Sequence, residues 1–239
     1  MTVEPVSKTP PPPAAGEALT KIDPNADQGA ADDHGGDIDW QSPKAQQIMH
    51  AAADLFFENG FGGSSMGQIA LKAGVSKGTL YNYFADKEAL FGSVVRAVCK
   101  LHNGQLYGLK TGDADVRAVL TRVSAQFLMF VTGDMPTSGY RMAVAEAVRF
   151  PHLGQIFYDA GPREGIKRMA DYLEWARDEG LIQLEDPDMA ARELLEMTKM
   201  PVFMQRVLHM RGPVEEKEAQ ELAEAAVGKF LTLYPLTEG

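Results

Sequence analysis

Apolar residues recur at helical spacing along most of this chain, and no run alternates apolar and polar residues as a half-buried strand would. The first clear period lies in "SPKAQQIMHAAADLFFENGF", where Ile48, Ala52, Leu55 and Phe56 share one face. Ser42 is a capping residue, Pro43 suits the first helical position, and Asn59-Gly60 is expected to end the helix. "SSMGQIALKAGV" then opens with a capping box, Ser65 with Gln68 three residues on, and buries Ile69, Ala70 and Ala73. Gly74 stands where a left-handed turn residue is needed, and Val75 points to the core. Ser76 caps a third short helix with Leu80 and Phe84 inward, and Asp86 caps a fourth beginning at Lys87. Two short helices joined through a glycine turn and braced by a longer one form a helix-turn-helix unit.

The chain stays helical beyond residue 100. Val116, Val119, Leu120, Val123, Phe127, Phe130 and Val131 make one stripe; Ile166, Met169, Ala170, Leu173 and Ala176 make another, which Gly180 stops. Residues 187–210 are apolar nearly all round with Pro201 inside, and 215–234 run to Phe230, Leu233 and Tyr234. The expected fold is all-α: a tail over 1–40, a three-helix DNA-binding domain over 41–91, and a helical ligand-binding and dimerisation domain over 92–239.

Charge changes this picture in one place. The chain carries a net charge of −10. Counted by segment, residues 1–40 hold −6, 41–100 hold +2 and 101–239 hold −6. The helix-turn-helix segment alone is positive, a local electrostatic footprint on an acidic body. Residues 1–40 are rich in Pro, Gly and Asp and poor in large apolar groups, so a disordered tail is expected there, solubilising or competing with DNA for the basic surface. The single cysteine, Cys99, sits among valines and reads as a small buried hydrophobe. With no long apolar run and no secretory pattern, a cytoplasmic protein without membrane contact is expected.

The candidate chemistry lies in "SKGTLYNYF". With Leu80 and Phe84 inward, Lys77, Gly78, Thr79, Tyr81, Asn82 and Tyr83 point outward or sideways. Lys77 suits a phosphate or guanine, Asn82 an adenine, Thr79 a phosphate or a thymine methyl, and the tyrosine hydroxyls suit phosphate oxygens. Gly78 allows close backbone approach, and Lys87 adds a cation at the next helix start. "AAADLFFENGF" and "SSMGQIALKAGVSKGTLYNYFADKEALF", followed by an all-helical remainder, resemble the DNA-binding domain of TetR-family bacterial transcriptional regulators. "AVAEAVRFPHLGQIFYDAGP" resembles the AefR-like subset of that family's ligand-binding domains. The resemblance implies DNA contacts at Ser65, Lys77, Thr79, Tyr81, Asn82, Tyr83 and Lys87. Gly67 departs from it, since relatives often carry a larger polar residue there.

A length of 101–234 exceeds what a scaffold requires. Tyr172 and Trp175 lie off the inner stripe of their helix, and Met197, Met200, Phe203 and Met204 surround Pro201, which is expected to bend that helix. With Phe127 these are the candidate lining of an adaptable apolar pocket, against the competing reading of an ordinary methionine-rich core. The last two helices read as apolar on two faces, which predicts a two-fold homodimer through a four-helix bundle and a palindromic double-stranded DNA site. The expected function is a repressor released by an apolar or amphipathic small molecule. The five histidines have no ligand spacing, and no nucleophile elbow, P-loop or dinucleotide fingerprint is present, so neither enzyme nor cofactor is expected. A carrier of hydrophobic molecules is the alternative, and it leaves the Lys77–Tyr83 surface unexplained.

Overall fold

A computed structural model describes residues 42–106, 109 and 112–237, without the side chains of 100–106. The acidic tail and Trp40 lie outside the described residues. Eleven helices follow among the described residues: α1 (Pro43–Gly63), α2 (Met66–Lys72), α3 (Lys77–Tyr83), α4 (Lys87–Leu106), α5 (Val116–Thr132), α6 (Asp134–Glu146), α7 (Pro151–Ala160), α8 (Pro162–Asp178), α9 (Pro187–Lys199), α10 (Phe203–Val207) and α11 (Glu216–Leu233).

The first four helices start where local chemistry dictates. Ser42 Oγ accepts from Ala45 N–H at 3.2 Å, Ser65 Oγ from Gln68 N–H at 3.3 Å, Ser76 Oγ from Thr79 N–H at 3.0 Å and Asp86 Oδ1 from Ala89 N–H at 2.7 Å. Each such cap is worth about 1 kcal/mol. At α2 the box is only half closed: the Gln68 side chain accepts from the Ser65 hydroxyl at 2.8 Å, not from its backbone N–H. Gly74 makes the turn at φ +61°, returning its N–H to Leu71 while Val75 N–H reaches Ala70 O. Gly60 does not end α1 outright. Its φ of 74° and ψ of 169° break the helix, which resumes for one more turn to Gly63.

Phe56, Phe61, Phe84 and Phe91 fill the core of this unit with Ile48, Ile69, Leu80 and Leu90. The rings of Phe56, Phe61 and Phe91 lie 5.6–5.7 Å apart. That core does not stop at residue 91. Val94, Val95 and Val98 of α4 extend it to Leu153 and Ala160 of α7, with Met142, Phe150 and Phe157 packed alongside. Cys99 lies at this junction, and burial pushes its thiol up to about 12, so it is inert at neutral pH.

A second core holds Val116, Leu120 and Val123 of α5, Met169, Tyr172 and Leu173 of α8, Leu194 of α9 and Phe230 of α11. A third joins α5 and α11 through Leu128, Val202, Val214, Ala219 and Ala223. Gly180, at φ +70°, ends α8, and an isolated antiparallel bridge between Ile182 and Leu236 fastens the segment after α11 beside it.

Candidate nucleic-acid interface

α3 buries Leu80 completely, and Phe84 just beyond it is 1 % exposed. Helical geometry therefore turns Lys77, Gly78, Tyr81 and Asn82 to solvent, with Thr79 and Tyr83 half-buried at the flanks. The Thr79 hydroxyl lies 2.8 Å from Ser76 Oγ, so its methyl is the freer surface. Tyr83 packs its ring on the core, 6.4 Å from Phe84. Ser65 is exposed at the start of α2, beside Gly67.

Few cations serve this face. Lys72 pairs with Asp54 at 3.2 Å and Glu58 at 3.4 Å. Lys44, missed in the sequence, donates to Gln47 Oε1 at 3.0 Å. Gln47 in turn lies 3.8 Å from the position a Cβ on Gly74 would take, which sets this end of α1 beside the helix-turn-helix turn. Among the described residues, Lys44 and Lys77 have no carboxylate within ion-pair distance.

Lys87 behaves differently from the outward cation expected of it. Its ammonium donates to Phe61 O at 2.7 Å and Ser64 O at 2.9 Å, and stands 4.2 Å from the Phe61 ring centroid. Burial pushes the ammonium below its ordinary range, while Glu88 and Glu146 pull it back. These carbonyls lie at the C-terminal end of α1, where no further helical N–H follows to bond them fully, and Lys87 satisfies them. From the opposite side, Glu146 Oε1 accepts the Gly62 N–H at 2.9 Å, and Phe150 meets Phe61 at 5.3 Å. The end of α1 is thus gripped by α4 and by the end of α6.

The seven residues expected to line a pocket do not converge. Tyr172 is not off the inner stripe: it is 2 % exposed, with its hydroxyl donating to Asp113 O at 3.1 Å. The buried stripe of α8 is wide enough to include it, and burial with Asp113 and Asp115 nearby raises its phenol to about 12. Phe127, Trp175 and Met197 are half-buried against the same core. Met200 and Met204, however, are 70 % and 64 % exposed, and Phe203 packs on Tyr140 at 5.1 Å. The reason is Pro201. It does not bend a continuous helix; α9 stops at Lys199 and α10 starts afresh at Phe203. An open recess of about 670 Å³ lies instead among Arg177, Ile182, Met189, Leu233 and Tyr234, and none of the seven lines it.

The last helices are also less apolar outside than expected. The outer face of α11 carries Lys217, Gln220, Glu221, Glu224 and Lys229 with Leu233 exposed near its end, and other exposed apolar groups are Met189 on α9 and the cluster Met200, Met204, Leu208 and Met210. No helix of the described residues is long and apolar enough to cross a membrane.

A capped, glycine-turned helix pair presenting a polar face on α3, carried by a helical body, defines a helix-turn-helix DNA-binding regulator. Residues 48–94 match the bacterial regulatory proteins of the tetR family, and residues 118–235 match the AefR-like transcriptional repressor C-terminal domain. The HTH-type transcriptional regulator RutR of Escherichia coli K12 is 38 % identical over 78 residues, 33 % of this chain and 37 % of RutR. UidR of the same strain is 42 % identical over 53 residues, 22 % of this chain and 27 % of UidR. The chain therefore spans about a third of the length of the curated relatives it matches. Solved structures extend the likeness. The flavonoid-responsive regulator FrrA is 33 % identical with a TM-score of 0.70, covering 80 % of this chain and 96 % of FrrA. A TetR-family regulator from Mesorhizobium loti is 30 % identical with a TM-score of 0.68, at the same coverage. The chain belongs to the TetR family of transcriptional regulators.

Proposed function

We propose that this regulator binds a palindromic operator as a homodimer, one α3 in each of two successive major grooves, and represses until a small apolar or amphipathic molecule releases it. The observation that carries the DNA half is the exposed Lys77, Gly78, Tyr81 and Asn82 face over a buried Leu80. Asn82 reads a base edge, and Ser65, Thr79, Tyr81 and Tyr83 hold the backbone. Lys87 supports the interface by fixing the end of α1, its remaining N–H being available to a phosphate. The exposed Met200, Met204, Leu208 and Met210 supply apolar surface for a second copy, beside α9 and α11. A two-fold axis there sets half-sites about one helical turn, roughly 34–36 Å, apart.

Phe127, Tyr172, Trp175 and Met197 are the residues of the expected pocket that share one core, and the half-buried Phe127, Trp175 and Met197 mark where an effector enters. FrrA is flavonoid-responsive, which favours flat aromatic compounds as the first class to screen. The test selects bound fragments from genomic DNA, then repeats binding with Asn82→Ala and with each compound. Asn82→Ala is expected to alter preference among sites; equal loss on every site removes Asn82 from base reading. In a Trp40→Phe background, Trp175 fluorescence reports the effector, and a compound that binds equally with and without operator is not the inducer.

A further inference from the structure

Lys77 is the first residue of α3, yet its side chain does not extend in front of that helix. It folds back across α2. Its Cε lies 3.0 Å, and its Nζ 3.3 Å, from the position that a Cβ on Gly67 would occupy, with Ser65 Oγ 4.0 Å from the same point. Contacts at 3.0 Å are tighter than most Cβ atoms make, so a side chain on residue 67 presses on the flexible end of Lys77 and shifts it by a few tenths of an ångström for a methyl group, and by more for a larger one. Residue 67 is the second position of α2, with no positive φ to require glycine. Glycine there weakens the helix relative to alanine. The bare position is used by the lysine.

Where the ammonium ends up decides what it can touch. In a helix-turn-helix unit the second helix enters the major groove while the first crosses the phosphate backbone. A lysine rooted on α3 but lying over α2 therefore delivers its charge beside the backbone, away from the base-reading Asn82. We infer that Gly67 is a positioning residue for Lys77: by leaving α2 bare, it lets the α3 lysine cross to α2 and clamp a phosphate, not read a guanine. The inference rests on α3 being the DNA-facing helix, and it removes the ambiguity left by the residue type alone. With Lys44 the other cation of the first three helices that has no carboxylate partner, this clamp is a large share of the local electrostatic attraction.

The test is a double-mutant cycle on full-length protein and an operator selected with the wild-type chain. Lys77→Ala is expected to weaken all DNA sequences alike and to reduce the salt slope of log K by about 2 per dimer, at about 0.9 per phosphate contact. Gly67→Ala and Gly67→Leu are expected to reproduce that slope change in increasing degree while raising Tm, because both favour the helix. A rise in stability with a fall in affinity separates displacement of the lysine from misfolding. In the Lys77→Ala background both Gly67 changes are expected to have no further effect on binding. The inference is overturned if Lys77→Ala changes base preference and leaves the slope intact, or if the Gly67 changes weaken binding equally without the lysine. Binding of the wild-type chain is the control that tells these failures from failure of the DNA-binding reading itself.

Discussion

The helix-turn-helix unit and the helical body are both all-α, but they fix their helices by opposite means. In the unit, α1 to α4 each begin on a Ser or Asp whose side chain accepts a backbone N–H three residues on. In the body only α5 and α9 do so, through Asp115 and Asp186. α6, α7, α8, α10 and α11 have no side-chain cap bond at their starts. They are placed by contacts between residues far apart in the chain: Arg206 on Thr132 O and Asp134, Tyr172 on Asp113 O, Tyr234 on Glu193. The head is thus fixed mainly by local bonds and the body mainly by bonds between distant segments, and under the proposed function the body is the part that responds to an effector.

The largest blow to the head is Phe61→Ala. Phe61 touches Phe56, Phe91 and Phe150 and underlies the Lys87 ammonium, so a loss of about 3–5 kcal/mol is expected. Thermal unfolding is expected to show the head melting before the body. A single transition with unchanged midpoint would mean the aromatic cluster is not what holds the unit.

The matching blow to the body is Arg206→Ala. The Arg206 side chain is 5 % exposed, donating to Thr132 O at 2.7 Å and to Asp134, whose carboxylate is half exposed. Arg141 bonds the Arg206 and Val207 carbonyls in turn. The expected loss is about 2–3 kcal/mol, below that of a fully buried pair because of solvent screening at Asp134. Denaturation of the purified variant checks it, and DNA affinity at low temperature is expected to survive, since no head contact is removed.

These two regions also differ in what a sequence discloses. Caps, the Gly74 turn, the Gly180 stop and the burial of Leu80 and Phe84 under an exposed α3 face all follow from residues within four positions of one another. The fates of Lys87, Tyr172 and the methionines do not. Periodicity tells which residues share a face, not which face finds a partner. Lys87 turns inward because the end of α1 leaves the Phe61 and Ser64 carbonyls open more than twenty residues earlier. Met200 and Met204 are exposed because Pro201 ends a helix where a bend was expected. α11 buries one face, Ala219, Ala223, Ala226, Val227, Phe230 and Leu231, and leaves a largely polar outer face with Leu233 exposed near its end.

A milder change separates core from pocket. Tyr172→Phe removes one buried hydroxyl and its bond to Asp113 O, for about 1 kcal/mol. The phenol ordinarily titrates near 10 and is raised to about 12 here, so its contribution is intact below pH 10 and is lost as pH rises through 12. Wild-type Tm is therefore expected to fall more steeply over that window than the variant's. If Tyr172→Phe leaves stability unchanged and alters effector affinity, the residue belongs to the binding site after all.

The smallest expected stability change probes the seam between the regions. Glu146, the last residue of α6, accepts the Gly62 N–H across 84 positions of sequence. Glu146→Ala removes that acceptor from a half-buried amide that water can still reach, for a loss of under about 1 kcal/mol. Its effect on communication is expected to be larger than its effect on folding. The bond joins the body's α6 to the backbone of the head's first helix, so a shift of α6 is expected to change the seat of α1. Hydrogen exchange of the segment 60–64 is expected to speed up in Glu146→Ala and to return toward wild type in Glu146→Gln, whose amide oxygen still accepts the bond. Coupling between effector and operator in ligand-responsive proteins amounts to about 1–3 kcal/mol. Glu146→Ala is expected to lower it, leaving operator affinity in the absence of effector within a few-fold. If exchange and coupling both match wild type, the head and body communicate through the α4–α7 core around Leu153 and Val94, and the Glu146 bond is incidental.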